Sequence, residues 1–274
     1  MDILRFLERR ALRDPVLVLC LDGWVNAGSA ASLVASTLGG DLIALGNPDQ
    51  LFDYRVSRPT LDFVEGAMTR LEWPELAMRH RATPTRDLLI VSGTEPNWNW
   101  QRLGMELAEA VVELGVGQHV SIGAIPWATP HTRPVQIMTT ASDRAHLPLS
   151  AELPAGLLRV PAAAVSALEY QIASTGIPTV GFWARVPQYV GVEYPAAALA
   201  LVHRLSEHLQ LELPTVELEE AAAEQRTHLD HVSDSRPEVK AMIEQLEAVI
   251  DTAGAISGEE LAAEIERYLR QQGD

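Results

Sequence analysis

Six residues that could take part in catalysis or binding follow apolar runs of strand length. We expect them to lie close together, because ligands of open α/β sheets bind beside the carboxyl ends of the strands. In an enzyme, Glu95 or Asp22 would act as the general base. His131 would then act as the acid, and Arg133 would clamp an anion. The six residues are Asp22, Asn26, Glu95, Asn97, His131 and Arg133.

The same residues also have a structural interpretation. The carboxylates of Asp22 and Glu95 would accept backbone amides and brace their loops, and Arg133 would pair with one of them. The sequence favours this interpretation, because it contains no G-x-S-x-G, G-x-x-x-x-G-K or H-E-x-x-H motif. Both interpretations stay open on the sequence alone.

Tryptophan is frequent in or near these loops, at positions 24, 98, 100, 127 and 183. These side chains either line a pocket or protein contact, or cover the hydrophobic core, which is the more common role. The residues predicted to bind a ligand or partner are Trp24, Asn26, Asn97, Trp98, Trp127 and Arg133.

Buried strands must position these loops. Val16–Leu21 is an unbroken apolar run, which is typical of a central parallel strand covered on both faces. From Ser29 the small residues predict a helix that lies close to the sheet. Asp87–Ser92 repeats the pattern of an apolar run before a polar loop. Gln118–Ile125 is a third such strand, and it leads into the proline-rich stretch Pro126–Pro134, which cannot be helical.

Other strands are predicted where shorter apolar patterns occur. Asp41–Leu45 predicts a strand, and Leu71–His80 predicts an antiparallel strand broken at Trp73 and Pro74. Polar and apolar residues alternate over Phe52–Pro59, which predicts a half-exposed strand that ends at the proline.

Strand and helix patterns alternate from Val16 to Leu211. This alternation predicts a three-layer α/β/α domain, so the fold class is α/β. We divide the chain into an α/β core domain, residues 1–211, and an acidic helical extension, residues 212–274.

The extension is predicted to contain three helices. They cover Thr215–Val232, run from Pro237 to Gly254, and follow a capping box at Ser257–Glu260. Their apolar stripes are narrow, so each helix must pack within the extension, against the core domain or against another subunit.

Composition excludes several functions. The net charge of −16 argues against nucleic acid as a partner. Lys240 is the only lysine, which excludes a phosphate-loop or Schiff-base lysine in the core domain. Cys20 is the only cysteine and lies inside the first apolar strand, where an inert buried thiol is expected.

The sequence also predicts a cytoplasmic protein without a membrane segment. No stretch approaches ~20 consecutive apolar residues, and the first residues lack the pattern of a signal peptide. The eight histidines lack metal-ligand spacing, and His228 and His231 beside Asp230 fit a solvated helix face better than a zinc site. We therefore predict no metal and no cofactor.

Several motifs in order resemble the proteasome assembly chaperone family. They are Gly23–Gly28, Ser92–Pro96, Pro130–Pro134, and the run from Gly176 through Gly181–Tyr189 to Pro195. The chain is most similar to the second-subunit type, in its bacterial form with a C-terminal helical extension. The resemblance implies a domain similar to the phosphorylase and peptidyl-tRNA hydrolase type of fold, and self-assembly. It implies no known reaction.

Some relatives dock on proteasome particles through a C-terminal hydrophobic-Tyr-any tripeptide. This sequence departs from that pattern, because it ends in Arg270–Asp274 and Tyr268 is internal. We predict a protein-association or assembly-chaperone-like protein, which forms a homo-oligomer, with a trimer as one candidate, and binds a protein client. The alternative is a hydrolase or phosphorylase-type enzyme that acts on a small molecule at the strand-end loops.

Overall fold

The computed structural model describes residues 2–147 and 156–252 of the 274. The described strands are β1 Leu4–Phe6, β2 Val16–Asp22, β3 Asp41–Gly46, β4 Thr60–Val64, β5 Ala67–Glu72, β6 Leu76–Ala82, β7 Asp87–Thr94, β8 Gln118–Trp127, β9 Ile137–Ala141 and β10 Thr179–Pro187. The described helices are α1 Ala30–Leu38, α2 Pro48–Leu51, α3 Trp100–Glu113, α4 Ala164–Ala173, α5 Pro195–Leu209, α6 Val216–Ser235 and α7 Pro237–Thr252.

The chain forms two compact units. The first unit comprises Met1–Trp24, Leu38–Ser121 and Ala162–Thr179, and the second comprises Val25–Thr37, Ile122–Pro161 and Val180–Asp274. Strand β8 contributes its first residues to the first unit and its last residues to the second. The division into residues 1–211 and 212–274 stays a prediction.

In the first unit the strands follow the order β1-β3-β6-β7-β2-β8. Strand β2 pairs in parallel with β7, from Val16 opposite Leu88 to Asp22 opposite Thr94, and in parallel with the start of β8. The pairs β1–β3, β3–β6 and β6–β7 are antiparallel. Helices α3 and α4 pack against each other, and α4 packs against β2. Every residue of Val16–Leu21 is buried, which confirms the predicted central parallel strand.

In the second unit the remainder of β8 is followed by β10 and β9, and β10 is antiparallel to β9. All of β10 is buried. Its Trp183 donates a hydrogen bond from Nε1 to Thr140 Oγ1 at 2.8 Å. A Cβ on Gly123 would lie 2.6 Å from the Trp183 ring, so only glycine leaves room for this side chain. Helix α6 packs against α5 and α7.

These elements confirm the α/β fold class, with a mixed sheet, helices on both sides and C-terminal helices. The more specific phosphorylase- and hydrolase-like fold name stays a prediction. Within the described residues, no helix is both long enough and apolar enough to cross a membrane. Cys20 is buried, and burial raises the pKa of its thiol.

The predicted strand over Phe52–Pro59 is wrong, because this segment forms turns. The Asp53 side chain accepts the backbone N–H of Arg55 at 3.0 Å, and the Asp53 carbonyl accepts the N–H groups of Val56 and Ser57. An aspartate that bonds its own backbone two residues on favours a turn over an extended strand. The predicted helix after Ser257–Glu260 lies outside the described residues.

Candidate functional site

Glu95 joins two segments of the first unit. Its Oε2 accepts the backbone N–H of Trp24 at 3.0 Å, and its Oε1 accepts the N–H of Ala164 at 2.7 Å. Ala164 is the first residue of α4, and the preceding Ala163 provides no side-chain cap. The carboxylate therefore caps α4 from a distant part of the chain and fixes the loop after β2 at the same time.

Asp22 also stabilises its own loop through a hydrogen bond. Its Oδ1 accepts the N–H of Gly23 at 2.9 Å. The backbone adds a further link, because the N–H of Glu95 donates to the Asp22 carbonyl at 2.9 Å. Both carboxylates thus accept backbone amides, as the structural interpretation predicts.

Asn97 organises the turns after α2. Its Oδ1 accepts the N–H of Asp53 at 2.8 Å and the hydroxyl of Ser57 at 3.0 Å, while its own N–H donates to the carbonyl of Leu51. Trp98 is 53% exposed directly beside it. The asparagine is therefore a positioning residue, and the tryptophan presents a free aromatic surface.

Asn26 plays a comparable role in the second unit. It is buried, and its Oδ1 accepts the N–H of Ala31 at 2.7 Å while its Nδ2 donates to Ser32 Oγ at 2.8 Å. The bond from Ala31 satisfies a backbone amide in the first turn of α1 that has no partner within the helix.

His131 lies almost completely buried in a hydrogen-bonded network of the second unit. The Tyr189 hydroxyl accepts the backbone N–H of His131 and lies 2.7 Å from Nδ1, and Nε2 lies 3.1 Å from Asp230 Oδ1. If the hydroxyl donates to Nδ1, Nε2 carries the proton and donates to the carboxylate. Burial lowers the pKa of His131, and the hydrogen bond to Asp230 opposes that shift.

Arg226 completes this network from α6. Its Nε donates to Asp230 Oδ2 at 2.9 Å, and its Nη1 donates to the carbonyl of His131 at 2.8 Å. Asp230 thus contacts the side chain of His131, and Arg226, one helical turn earlier, bonds its backbone carbonyl. The histidine attaches α6 to the proline-rich segment.

Arg133 attaches α7 in the same way. Its Nε and Nη2 donate to the two oxygens of Asp251 at 3.0 and 2.7 Å, and its Nη1 donates to Glu247 Oε1 at 2.9 Å. The Thr132 hydroxyl donates to the same Glu247 oxygen. Hydrogen bonding to Arg133 lowers the pKa of Asp251. The observed partners differ from the predicted pairing of Arg133 with Asp22 or Glu95.

The five tryptophans predicted in or near these loops differ in burial. Trp127 is buried with the Arg185 guanidinium 4.8 Å from its ring centre, and Trp183 is buried beside Thr140. Trp100 is partly buried and donates from Nε1 to the carbonyl of Pro96 at 2.5 Å. Trp24 and Trp98 are exposed, so these two offer the most aromatic surface to a partner.

A cavity of 410 Å³ lies beside His131 in the second unit. Its apolar lining includes Val135 and Leu199, and its polar lining includes Gln225 and Arg226. The cavity has the size of a ligand site. His131 and Arg226 both bond to Asp230, so the lining contains no evident catalytic pair. The enzyme alternative therefore gains no support here.

The structure groups the predicted site residues by unit. Asp22, Glu95 and Asn97 belong to the first, and Asn26, His131 and Arg133 belong to the second. Their convergence on one edge of the sheet stays a prediction.

Comparison with known proteins assigns these loops to a family. A model of the PAC2 family matches residues 20–233. The chain belongs to the PAC2 family. The match includes the loops after β2 and β7 and the proline-rich segment. A search of curated proteins finds no match.

Three solved structures resemble this PAC2 chain over most of its length. A Mycobacterium tuberculosis protein of unknown function is 32% identical, with a TM-score of 0.88, over 100% of this chain and 97% of its own. A M. tuberculosis proteasome-assembly chaperone homologue is 29% identical, with a TM-score of 0.75, over 83% and 99%. A PAC2 family protein from Streptomyces avermitilis is 32% identical, with a TM-score of 0.72, over 84% and 100%.

Sequence reasoning missed the partners of the proline-rich segment in this PAC2 protein. Asp230 and Arg226 face His131, and Glu247 and Asp251 face Arg133. The i, i+4 spacing of Arg226 and Asp230 predicts a pair on one helix face. Nothing local in the sequence indicates that this pair would close on a histidine 99 residues from Asp230.

Proposed function

We propose that this protein is an assembly-chaperone-like protein that binds a protein client and associates with copies of itself. The observation that carries the proposal is the similarity to the M. tuberculosis proteasome-assembly chaperone homologue, together with membership of the PAC2 family. In this proposal the protein works in the cytoplasm, and proteasome subunits are the first clients to test.

The bonding of the loop residues supports protein association over catalysis. The side-chain oxygens of Glu95, Asn97 and Asn26 accept backbone amides of other loops or of a helix start. Such bonds fix the shape of a loop, and a fixed loop lowers the entropy cost of binding a partner.

Exposed aromatic side chains on these loops supply the contact surface. Trp24 follows the Asp22–Gly23 turn, and Trp98 follows Asn97. Both are exposed, although their backbones are held by hydrogen bonds to Glu95 and Leu51. Tryptophan is one of the residue types enriched among the dominant contributors to protein interfaces.

The test is binding of the purified protein to separately purified proteasome subunits, measured by light scattering coupled to size exclusion. We expect a complex, and we expect Trp24→Ala with Trp98→Ala to weaken it by about tenfold or more. The control is Tyr170→Ala, which removes an exposed aromatic residue of α4 outside these loops. Absence of a complex at micromolar concentration, or equal effects of the variants, would contradict the proposal.

A further inference from the structure

Tyr54 and Trp73 form an aromatic pair in the first unit. Their ring centres lie 4.8 Å apart at an interplanar angle of 64°, which is the edge-to-face arrangement that aromatic rings favour. Trp73 is 51% exposed, and Tyr54 is partly exposed. A tryptophan that only covers a hydrophobic core is mostly buried. This pair therefore leaves aromatic surface open to another molecule.

The backbone that carries each ring is restricted. Pro74 limits the backbone conformations of Trp73, which precedes it. On the other side, Asn97 Oδ1 accepts the N–H of Asp53 at 2.8 Å, directly before Tyr54. Because both rings are attached to a restricted backbone, little conformational freedom is lost when a ligand binds between or upon them.

A carboxylate lies beside the pair. The Tyr54 hydroxyl donates to Asp49 Oδ1 at 2.6 Å, and this hydrogen bond raises the pKa of Tyr54 to about 12. The hydroxyl therefore keeps its proton at neutral pH. Within the described part of the chain, Asp49 Oδ2 accepts no hydrogen bond, so one oxygen of the carboxylate stays open to a ligand.

The charge of this region favours a cationic ligand. The segment from Pro48 to Glu75 carries six carboxylates and three arginines, in a chain with a net charge of −16. Arg55 follows Tyr54, but its guanidinium donates to both oxygens of Asp53, at 3.1 and 2.9 Å. Its positive charge is therefore compensated. Aromatic faces attract cations, and an open carboxylate adds a charged hydrogen bond.

We propose that Tyr54, Trp73 and Asp49 bind an arginine side chain of the protein client, and we call these three residues the arginine site. The proposal rests on the proposed function and names the chemistry of the partner. Arginine fits better than lysine, because its planar guanidinium stacks on aromatic rings while its N–H groups bond a carboxylate. The client is therefore expected to present a basic surface.

The arginine site is bonded to the loop that carries Trp98. The N–H of Trp98 donates to the Leu51 carbonyl at 3.1 Å, and Asn99 Nδ2 donates to the Gln50 carbonyl at 2.7 Å. Gln50 and Leu51 follow Asp49 in α2. Trp98 and the arginine site thus belong to connected loops of one unit, so a single client could contact both.

Titration of the full chain with a blocked tripeptide tests the site. The probe is acetyl-glycyl-arginyl-glycine amide. Its matched control carries citrulline in place of arginine, which keeps the shape of the side chain without its charge. We expect the indole N–H signal of Trp73 to move in NMR spectra during the arginine titration, and the citrulline peptide to bind about fivefold more weakly or less still. Equal binding of the two peptides, or an unmoved Trp73 signal, would overturn the proposal.

Two variants separate the parts of the site. Trp73→Leu removes the aromatic face and identifies the Trp73 signal by its loss. Asp49→Asn removes the charge but keeps an acceptor for the Tyr54 hydroxyl. We expect each to weaken binding of the arginine peptide by about threefold or more, with unchanged circular dichroism.

The control variant is Asp62→Asn. Asp62 lies in the hairpin of β4 and β5, at the register shift of its pairing, and belongs to no part of the arginine site. Its substitution should leave binding of the arginine peptide unchanged. If Asp49→Asn and Asp62→Asn weaken binding equally, the acidic protein attracts cations without a specific site, and the proposal is overturned.

Binding of proteasome subunits separates this proposal from the proposed function. If the subunits bind Trp73→Leu as tightly as the wild type, the arginine site does not recognise the client, while the proposed function stands. If the arginine peptide binds at Trp73 and the subunits do not bind at all, the arginine site stands and only the proposed function fails.

Discussion

Glu95 lies so close to Gly23 that a Cβ atom on residue 23 would stand 2.6 Å from Glu95 Oε2. Gly23 also has a φ of +123°, which residues with side chains rarely adopt. The contact brings Oε2 within hydrogen-bond distance of the Trp24 amide. Close packing at one glycine thus permits the bond that joins the loop after β2 to α4.

Gly23→Ala is expected to lower the free energy of unfolding by about 3 kcal/mol, because it adds both strain and a steric clash. The measurement is urea denaturation. The matched control is Gly115→Ala, where φ is also positive and no atom lies within 4 Å of the added carbon, so about 1 kcal/mol is expected. Equal losses in the two variants would show that the contact with Glu95 is unimportant.

Glu95→Ala is expected to cost about 1–3 kcal/mol, because it leaves the amides of Trp24 and Ala164 without their acceptor. Glu95→Gln keeps one acceptor oxygen and should cost less. The control is Glu75→Ala, which removes an exposed carboxylate paired with Arg79, worth about 0–1 kcal/mol. Thermal unfolding of the three variants ranks their losses of stability. A Glu95→Ala variant as stable as the wild type would refute the bracing role.

His119 is expected to make stability depend on pH. The ring is completely buried with Nε2 2.9 Å from Ser121 Oγ, and burial lowers its pKa from 6.5 to about 3. Between pH 6.5 and about 3, His119 therefore binds a proton in the unfolded chain but stays neutral in the folded chain. Stability is fully present above pH 6.5 and falls as the pH drops toward 3, by at most about 1.4 kcal/mol per pH unit.

The measurement is urea denaturation between pH 7 and pH 4, in steps. His119→Gln should show a shallower decline, because glutamine keeps a hydrogen bond to Ser121 without titrating. The control is His228→Gln, at an exposed position of α6, which should leave the decline unchanged. An unaltered slope in His119→Gln would disprove the assignment.

Arg133→Lys is expected to loosen α7, because lysine cannot reproduce the two parallel bonds to Asp251. Hydrogen exchange should show faster exchange of amides in Pro237–Thr252, by about two- to fivefold for a pair worth about 0.5–1 kcal/mol. Amides of α3 serve as the internal control. If the substitution leaves the exchange rates of the α7 amides unchanged, the role of Arg133 in attaching α7 is contradicted.

The central strands were predictable because burial on both faces leaves a direct mark on the sequence. Val16–Leu21 is apolar without interruption. The hairpin left no such mark, since the register shift spaces Met68 and Leu71 three residues apart and breaks the alternation expected of a strand. The turn at Asp53 was missed for a related reason: its side-chain bond to Arg55 outweighs an alternating pattern.

The site was predictable in part. The structural interpretation of Asp22 and Glu95, one of two that the sequence left open, agrees with their observed bonds to backbone amides, whereas the bond from Asn26 to the start of α1 was not predicted. The partners of His131 and Arg133 could not be inferred, because they lie about 100 residues away on the helical extension. Long-range pairing of this kind depends on how helices pack, which local sequence patterns do not encode.

Helix α7 is attached to the proline-rich segment mainly through Arg133 and two carboxylates, whereas strand β2 is held by apolar burial. Dissolved ions act on these two forces in opposite directions. They screen exposed charge pairs, while strongly hydrated anions such as sulfate strengthen apolar burial. Concentrated sulfate is therefore expected to strengthen the burial of the sheet while it weakens the ion pairs that attach α7 to the proline-rich segment.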